Sequence, residues 1–414
     1  MQITRKDFFI GSLAATAALG AKAAGQNPVG RAPSPCVPLS KIQGFDEPLT
    51  ETKLGGPWQP FSDRKVRVGI AGYGVCSFGA MFFFQNHPNV EVVAATDLDP
   101  ERCKQLAQAV GAKRTYPSAE EMIDKEGKNM DAVFIATDAP SHIDLVLRAL
   151  DRGYHAASAV PTLWGEEQLD RAPKLIEAVK KTGLVYALFE TTAFRPQCVA
   201  MRRIYEAGGF GMLAYTEGEY FHLKDPKHPI GSYKGWRVAS PPQYYATHSN
   251  GFYTCMTHKT FTEVTCVGTP GTLPEYKKNR YGNPFASEVA FYRTEEGGTA
   301  RMTRAANLPG YSAEAGRCFG TQGCFRNDRY FGDKSLIKGI DLLRTGLPPG
   351  MKNSGHHGGS HPYLTDDFLR AILVPGHKVC VDAATALNTT VTGVYAHLSA
   401  MKGGETLKIP KFTL

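Results

Sequence analysis

The sequence predicts two domains in series: an α/β domain built on a parallel sheet, then an α+β domain built on a largely antiparallel open sheet. Three observations carry this. From Lys65 to Glu190, short apolar runs alternate with helix-patterned segments. A Gly72-Tyr73-Gly74 turn closes the first of those runs. From Met212 onward the pattern changes to period-two alternation, with "EEGG" at 295–298 as a hairpin signal. Strands apolar on both faces and separated by helices belong to parallel sheets with right-handed crossovers. Period-two alternation marks strands with one covered face.

Taken in order, "VRVGIAG" (66–72) is the first strand and "SFGAMFFFQNH" (77–87) the first helix. "VEVVAATD" (90–97) is the second strand. "DPERCKQLAQAVG" is a helix with Asp99 at its N-cap, Pro100 at the first helical position and Gly111 past its end. Ser118 and Glu121 form a capping box. Further buried strands follow at 131–138, 154–159 and 184–190, separated by helices at 141–152 and 166–182. The expected domains are residues 63–192 and 193–414, preceded by a Pro/Gly-rich linker or arm at 26–62.

The glycine turn sits where the first strand becomes the first helix. Glycine permits the tight turn and lets backbone N–H groups approach a pyrophosphate, an anion also favoured by a helix N-terminus. Ser77 stands where a third glycine is expected, and Gly79 comes two residues later. Tyr73, Val75 and Ser77 complete the candidate phosphate loop. Asp97, at the end of the second strand, suits the two ribose hydroxyls and would repel a 2′-phosphate, so the expected cofactor is NAD rather than NADP. The first domain is therefore expected to be a Rossmann dinucleotide-binding domain.

With these residues in place the chain resembles the Gfo/Idh/MocA family of NAD-dependent oxidoreductases (glucose-fructose oxidoreductase, inositol dehydrogenase and relatives). The resemblance runs from residue 64 to the C-terminus and rests on the glycine turn, on "IATDAPSHIDLVLRALDRGYHAASAVP" and on the layout of the second half. Ala136, Thr137, Pro140 and His142 match one family motif, and Gly153 and His155 another. The resemblance implies that Thr137, His142, Val160 and Pro161 border the cofactor. It implies a substrate domain with a largely antiparallel sheet, and a homo-oligomer. Where the family commonly places Glu-Lys-Pro, this chain reads Ala159-Val160-Pro161. Valine cannot exchange protons with a substrate hydroxyl, as a buried lysine can. A Val-Pro turn also resembles the family's NAD-using glycosidase branch.

In the second half, strands are expected at 212–222, 285–294 and 298–306, after a linking helix from Pro196 to Ala207. The resemblance puts His248 on a family histidine and Tyr244 on the family's aspartate, implying His248 as catalytic acid/base. Histidine titrates near neutrality, and a residue four positions earlier would share one helical face with it. "NSGHHGGSHPYLTDDF" (353–368) reads as a Gly-rich loop entering a helix; the resemblance puts it over the active site, with His357 and His361 as expected substrate contacts and a plain loop as the alternative. Its histidine spacing matches no trusted metal pattern, so no metal is expected. Glu190 ends a parallel strand, where ligands gather; the alternative is an arginine partner. Tyr220, His222, Trp236, Arg237 and Arg301 suit a carbohydrate, which needs ring faces and a few oriented polar groups.

The chain carries a net charge of +8 with no run of five like charges, and no nucleic-acid motif is visible. Nine cysteines without a C-x-x-C pair give no disulfide framework, though Cys318 and Cys324 could meet across a hairpin. "TRKDFFIGSLAATAALGAKAAGQ" (4–26) has the layout of an export signal and resembles the twin-arginine pattern, with Lys6 in the second arginine position. An ordinary secretory signal or a short anchor are the alternatives. The segment is too short and polar to favour a span, so the mature protein is expected in the periplasm, loaded with NAD before export and not stably inserted in the membrane. Three functions remain open on these grounds: an oxidoreductase acting on a sugar, glycoside or cyclitol; a redox-neutral glycosidase or lyase; or a non-catalytic sugar- or cofactor-binding protein.

Overall fold

A computed structural model describes residues 55–222, 230–306, 308, 311–351 and 356–414. The export signal, most of the linker and residues 353–355 of the histidine loop lie outside the described residues. The first sheet has six parallel strands in the order β3-β2-β1-β4-β5-β6, formed by β1 (Val66–Ala71), β2 (Val90–Thr96), β3 (Arg114–Tyr116), β4 (Ala132–Ile135), β5 (His155–Ser158) and β6 (Tyr186–Leu188). This order is the doubly wound dinucleotide-binding arrangement, with its topological switch between β1 and β4.

The local signals explain most of the helices. Asp99 accepts from the N–H groups of Glu101 and Arg102 and opens α2 (Pro100–Val110), which ends at Gly111 in the left-handed region. Ser118 accepts from Glu121 N–H at the start of α3 (Ala119–Lys125). α4 (His142–Asp151) and α5 (Arg171–Thr182) follow the same alternation.

The first helix departs from expectation: α1 spans only Phe78–Met81, and a separate 3-10 turn follows at Phe84–Asn86. Phe83 between them takes a left-handed φ of 63°. The break turns both Phe82 and Phe84 into one apolar core with Phe134 and Phe189, which a continuous helix would not do for residues two apart. The phosphate loop consequently relies on its own N–H groups more than on a long helix dipole.

After α6 (Pro196–Glu206), the second sheet has eight strands in the order β13-β12-β11-β7-β10-β9-β8-β14. Its members are β7 (Leu213–Phe221), β8 (Phe261–Pro270), β9 (Phe285–Thr294), β10 (Thr299–Ala305), β11 (Ala313–Gly320), β12 (Gly323–Arg326), β13 (Arg329–Gly332) and β14 (Leu407–Lys408). It is antiparallel except for the parallel pair β7–β10. Cys318 opposes Phe325, and Cys324 opposes Phe319, so the two cysteines are out of register; both are free thiols.

One face of this sheet is covered by α7 (Thr247–Thr257) and α9 (Ala383–Met401). α7 lies almost on the backbone of the sheet. A Cβ on Gly218 would stand 2.1 Å from the Ser249 carbonyl oxygen, and one on its cross-strand partner Gly316 would stand 2.3 Å from the Phe252 ring. This glycine pair fixes the depth at which His248 is held.

The last part of the chain returns to the first sheet. α8 (His361–Leu373) places Leu364, Phe368 and Leu369 in the core that contains Ile70, Phe134 and Phe189. Trp58, in the described end of the linker, donates to Asp366 on the same helix. Among the described residues, no helix is long and apolar enough to cross a membrane.

Candidate active site

A cleft of about 510 Å³ opens beyond the carboxyl ends of β1 and β2. Gly72, Gly74, Val75, Ser77, Asp97 and Thr137 line it, and Trp236 and Arg237 close its far side. The turn is shaped for a close approach. Gly72 has φ of +102°, and a Cβ there would stand 2.4 Å from the Ala136 carbonyl oxygen. Gly74 has nothing within 4 Å of the place its Cβ would occupy, so its backbone faces open space. Gly79 supplies the missing third glycine, since a Cβ there would meet the Gly72 carbonyl at 2.4 Å. Asp97 accepts from Tyr73 N–H at 2.6 Å and from Asp99 N–H at 2.9 Å. These bonds hold its carboxylate at the cleft, with lone pairs left for two hydroxyls. Tyr73 contributes its N–H to that brace. The cleft thus fits a dinucleotide.

Three residues assigned to the cofactor are not among those lining this cleft. His142 is buried behind the cleft; its Nδ1–H donates to the Pro161 carbonyl at 2.8 Å, and burial lowers its pKa, so it is a neutral clasp. Val160 and Pro161, joined by a cis peptide bond, are buried beneath it.

The charged centre forms where the two domains meet. Glu190, just beyond β6, is fully buried, and His248, in the first turn of α7, is 2% exposed. The His248 Nδ1–H donates to Glu190 Oε1 at 2.7 Å. Glu314, on β11, lies 3.9 Å from the same nitrogen. It accepts two bonds from the Arg195 guanidinium, at 2.6 and 2.7 Å, and one from His357 Nδ1–H at 3.0 Å. The His248 and His357 rings stack at 5.1 Å.

Burial by itself would favour the neutral His248 ring, but the Glu190 and Glu314 carboxylates outweigh it and raise its pKa. Burial likewise opposes ionised Glu190, and His248 outweighs it, leaving the Glu190 pKa lowered. Glu314 is held well below the usual carboxylate range against burial, first by Arg195 and then by His248. His361 sits deeper, its ring tilted against Phe82 at 4.3 Å, and burial with His357 beside it drives its pKa down to about 3. It is a neutral packing partner of His357 (ring centroids 5.5 Å apart).

Tyr244 does not support His248. The spacing of four assumed one helix, but α7 begins at Thr247, and Tyr244 belongs to a separate 3-10 turn, Pro242–Tyr245. Its ring packs between Trp164 and His397. Glu190 takes the orienting part assigned to Tyr244, while Tyr220 and Tyr245 place their rings 4.6 and 5.7 Å from His248. Arg301 also falls outside the site, since it pairs with Glu217 on the open face of the second sheet.

Glu314 and Arg195 were not singled out from the sequence. The available signal was an acid between two alanines on a strand, "SAEAG", where a small-residue stretch offers little packing of its own. His248, Glu314 and His357 bring ligand-type atoms within 4.8 Å of one another. The Arg195 guanidinium occupies both Glu314 oxygens, so a fixed positive charge opposes a cation there.

Fold and cleft define a two-domain protein whose first domain is built to bind a dinucleotide. Residues 66–189 match the GFO_IDH_MocA model, an oxidoreductase family with an NAD-binding Rossmann fold, and the first domain is an NAD-binding Rossmann domain of that kind. Among curated proteins, the chain is similar to "Glycosyl hydrolase family 109 protein 1" of Bacteroides fragilis, 31% identical over 206 residues, covering 45% of this chain and 42% of that protein. It is similar to "D-apiose dehydrogenase" of Paraburkholderia graminis, 32% identical over 148 residues, covering 36% and 38%. The aligned segments span less than half the length of either relative. The fold resembles scyllo-inositol dehydrogenase of Lactobacillus casei, solved with NAD(H) and scyllo-inositol: TM-score 0.65, 15% identity, covering 83% of this chain and 99% of that one.

Gly74→Ala is expected to leave the melting temperature of cofactor-free protein nearly unchanged, because its Cβ meets nothing, yet to weaken NAD binding in calorimetry, because the methyl would face the diphosphate. Glu314→Gln is expected to cost about 3–5 kcal/mol of stability in chemical denaturation by leaving the Arg195 charge unpaired. The Glu314→Leu/Arg195→Met double variant should recover much of that loss.

Proposed function

We propose that the protein transfers hydride between NAD and a carbinol carbon of a sugar, glycoside or cyclitol, with His248 as acid/base and Glu190 as the residue that orients it. The observation that carries this reading is the 2.7 Å bond from His248 Nδ1–H to a buried carboxylate beside the cofactor cleft. Bound NAD supplies the hydride acceptor. With Nδ1 committed to Glu190, the lone pair on Nε2 takes the substrate hydroxyl proton as the C–H hydrogen leaves as hydride. Return of both reverses the step. Glu190 and Glu314 stabilise the imidazolium formed.

A second reading is favoured by Val160, which stands where a relay lysine is common, and by the glycosyl hydrolase name of the Bacteroides fragilis relative. In it, oxidation of the sugar ring acidifies a neighbouring C–H, a leaving group is eliminated, and the hydride returns within one turnover. Export as a folded protein holding its NAD, and pairing of two copies through the open sheet face that carries Val267 and Phe291, belong to the same proposal.

Nitrophenyl glycosides and free sugars, followed at 340 nm and by phenol release, test these readings together. Net NADH without cleavage supports the first, and cleavage without net NADH supports the second. Neither response, with NAD retained, contradicts both. For oxidation His248 must start neutral, so activity should rise with pH through its raised pKa. Glu190→Gln removes a carboxylate that raises that pKa, so the acidic limb of the kcat/KM profile should move to lower pH. A limb that stays in place would remove this pair from the chemistry.

A further inference from the structure

Two arginines beside the His248 cluster have no carboxylate partner among the described residues. Arg304, on β10, is 2% exposed. Its guanidinium lies 4.5 Å over the Tyr220 ring, one terminal N–H donates to the Ala305 carbonyl, and its Nε has no partner. Arg237 lies 4.2 Å over the Trp236 ring and 5.3 Å over the Tyr245 ring, and its Nε is likewise buried without a partner.

The neighbouring carboxylates are committed elsewhere. Glu314, Tyr220, Arg304 and Glu288 form one row across β11, β7, β10 and β9. At one end of this row, Glu314 is held by Arg195 and His357. At the other, Glu288 accepts from His397 and from Gln243 N–H. Glu190 is taken by His248. Among the described residues, the titratable groups that act most strongly on Arg304 are Tyr220, Tyr245, Tyr276 and Arg237, none of them a carboxylate.

Burying a guanidinium is unfavourable unless it is paired and its donors are filled. Aromatic faces offset part of that cost but leave the buried Nε–H of each arginine without an acceptor. The two tyrosines under these arginines are those whose rings stand against His248. The unpaired charge therefore lies on the approach to the acid/base.

We infer that the substrate is an anionic sugar, whose carboxylate, or an equivalent oxyanion, is held by Arg304 and Arg237 while a ring hydroxyl meets His248. The inference rests on the reading of His248 given above. A carboxylate accepts two parallel bonds from the planar fork of an arginine, and a uronic acid places that group on the sugar's own frame.

The test uses mature protein whose NAD content is fixed by acid extraction, titrated calorimetrically with glucuronate, galacturonate, glucose, galactose and glucose 6-phosphate. At least one anionic sugar should bind about tenfold or more tighter than its neutral counterpart. Arg304→Gln should abolish that preference with NAD content unchanged; should it fail to fold, Arg304→Lys, which keeps the charge but loses the planar fork, should reduce the preference with NAD content unchanged, and an unaltered preference in either variant would overturn the inference. Tightest binding of glucose 6-phosphate identifies the oxyanion as phosphate; tightest binding of a uronate identifies it as carboxylate. Neutral sugars binding as tightly as the anionic ones, or no sugar binding at all, would overturn the inference. Neutral sugars that also change absorbance at 340 nm would overturn it while leaving the His248 reading intact. Arginine-dependent binding of an anionic sugar that leaves the nicotinamide unchanged would do the reverse.

Discussion

The site depends on a buried ionic cluster in which no charge is stable alone. Glu190 and Arg195 flank one short 3-10 turn, Thr191–Phe194, while His248 and Glu314 come from two further stretches of chain, and the Glu190, His248 and Glu314 side chains are almost wholly shielded from water. In such surroundings an isolated ion is strongly disfavoured, and only close pairing permits ionisation. The 2.7 Å bond from His248 to Glu190 and the two-pronged bond from Arg195 to Glu314 provide that pairing. The result is a histidine that holds its proton more tightly than it would in water, with one nitrogen fixed by a carboxylate and the other left for chemistry.

That cluster joins the two domains as well as serving the site. Glu190 follows the last strand of the parallel sheet, on the side where its cofactor cleft opens. His248 comes from the helix pressed onto the glycine pair of the second sheet, and Glu314 from that sheet itself. His357 precedes the helix that returns to the core of the first domain. Closure of the domains and assembly of the charges are therefore one event. A small displacement of α7 would separate His248 from Glu190, and the absence of Cβ atoms at Gly218 and Gly316 is what lets that helix sit deep enough.

Much of the first domain was legible in the sequence because its signals are local. Asp99, Pro100 and Gly111 mark a helix within a dozen residues, and Gly72, Gly74 and Asp97 sit at the ends of adjacent strands. His248 and Glu190 were both recognisable as candidates, but not as a pair, since they meet only through the packing of two domains. Tyr244 was misplaced because sequence spacing cannot show that a helix begins three residues later. The first helix was drawn too long because three successive phenylalanines fit a helix pattern as well as a broken one. Glu314 and Arg304 were out of reach for a different reason. Their meaning lies in cross-strand register with Tyr220 and Glu288, which no single stretch contains.

The most direct measurement is the titration of His248 itself, by NMR of protein labelled at histidine with 15N, using His248→Gln to assign its signals. The account predicts a midpoint above the ordinary histidine value of about 6.5, with the Nδ1 proton present throughout the titration. A midpoint at or below that value, or a neutral ring protonated at Nε2 instead, would contradict it.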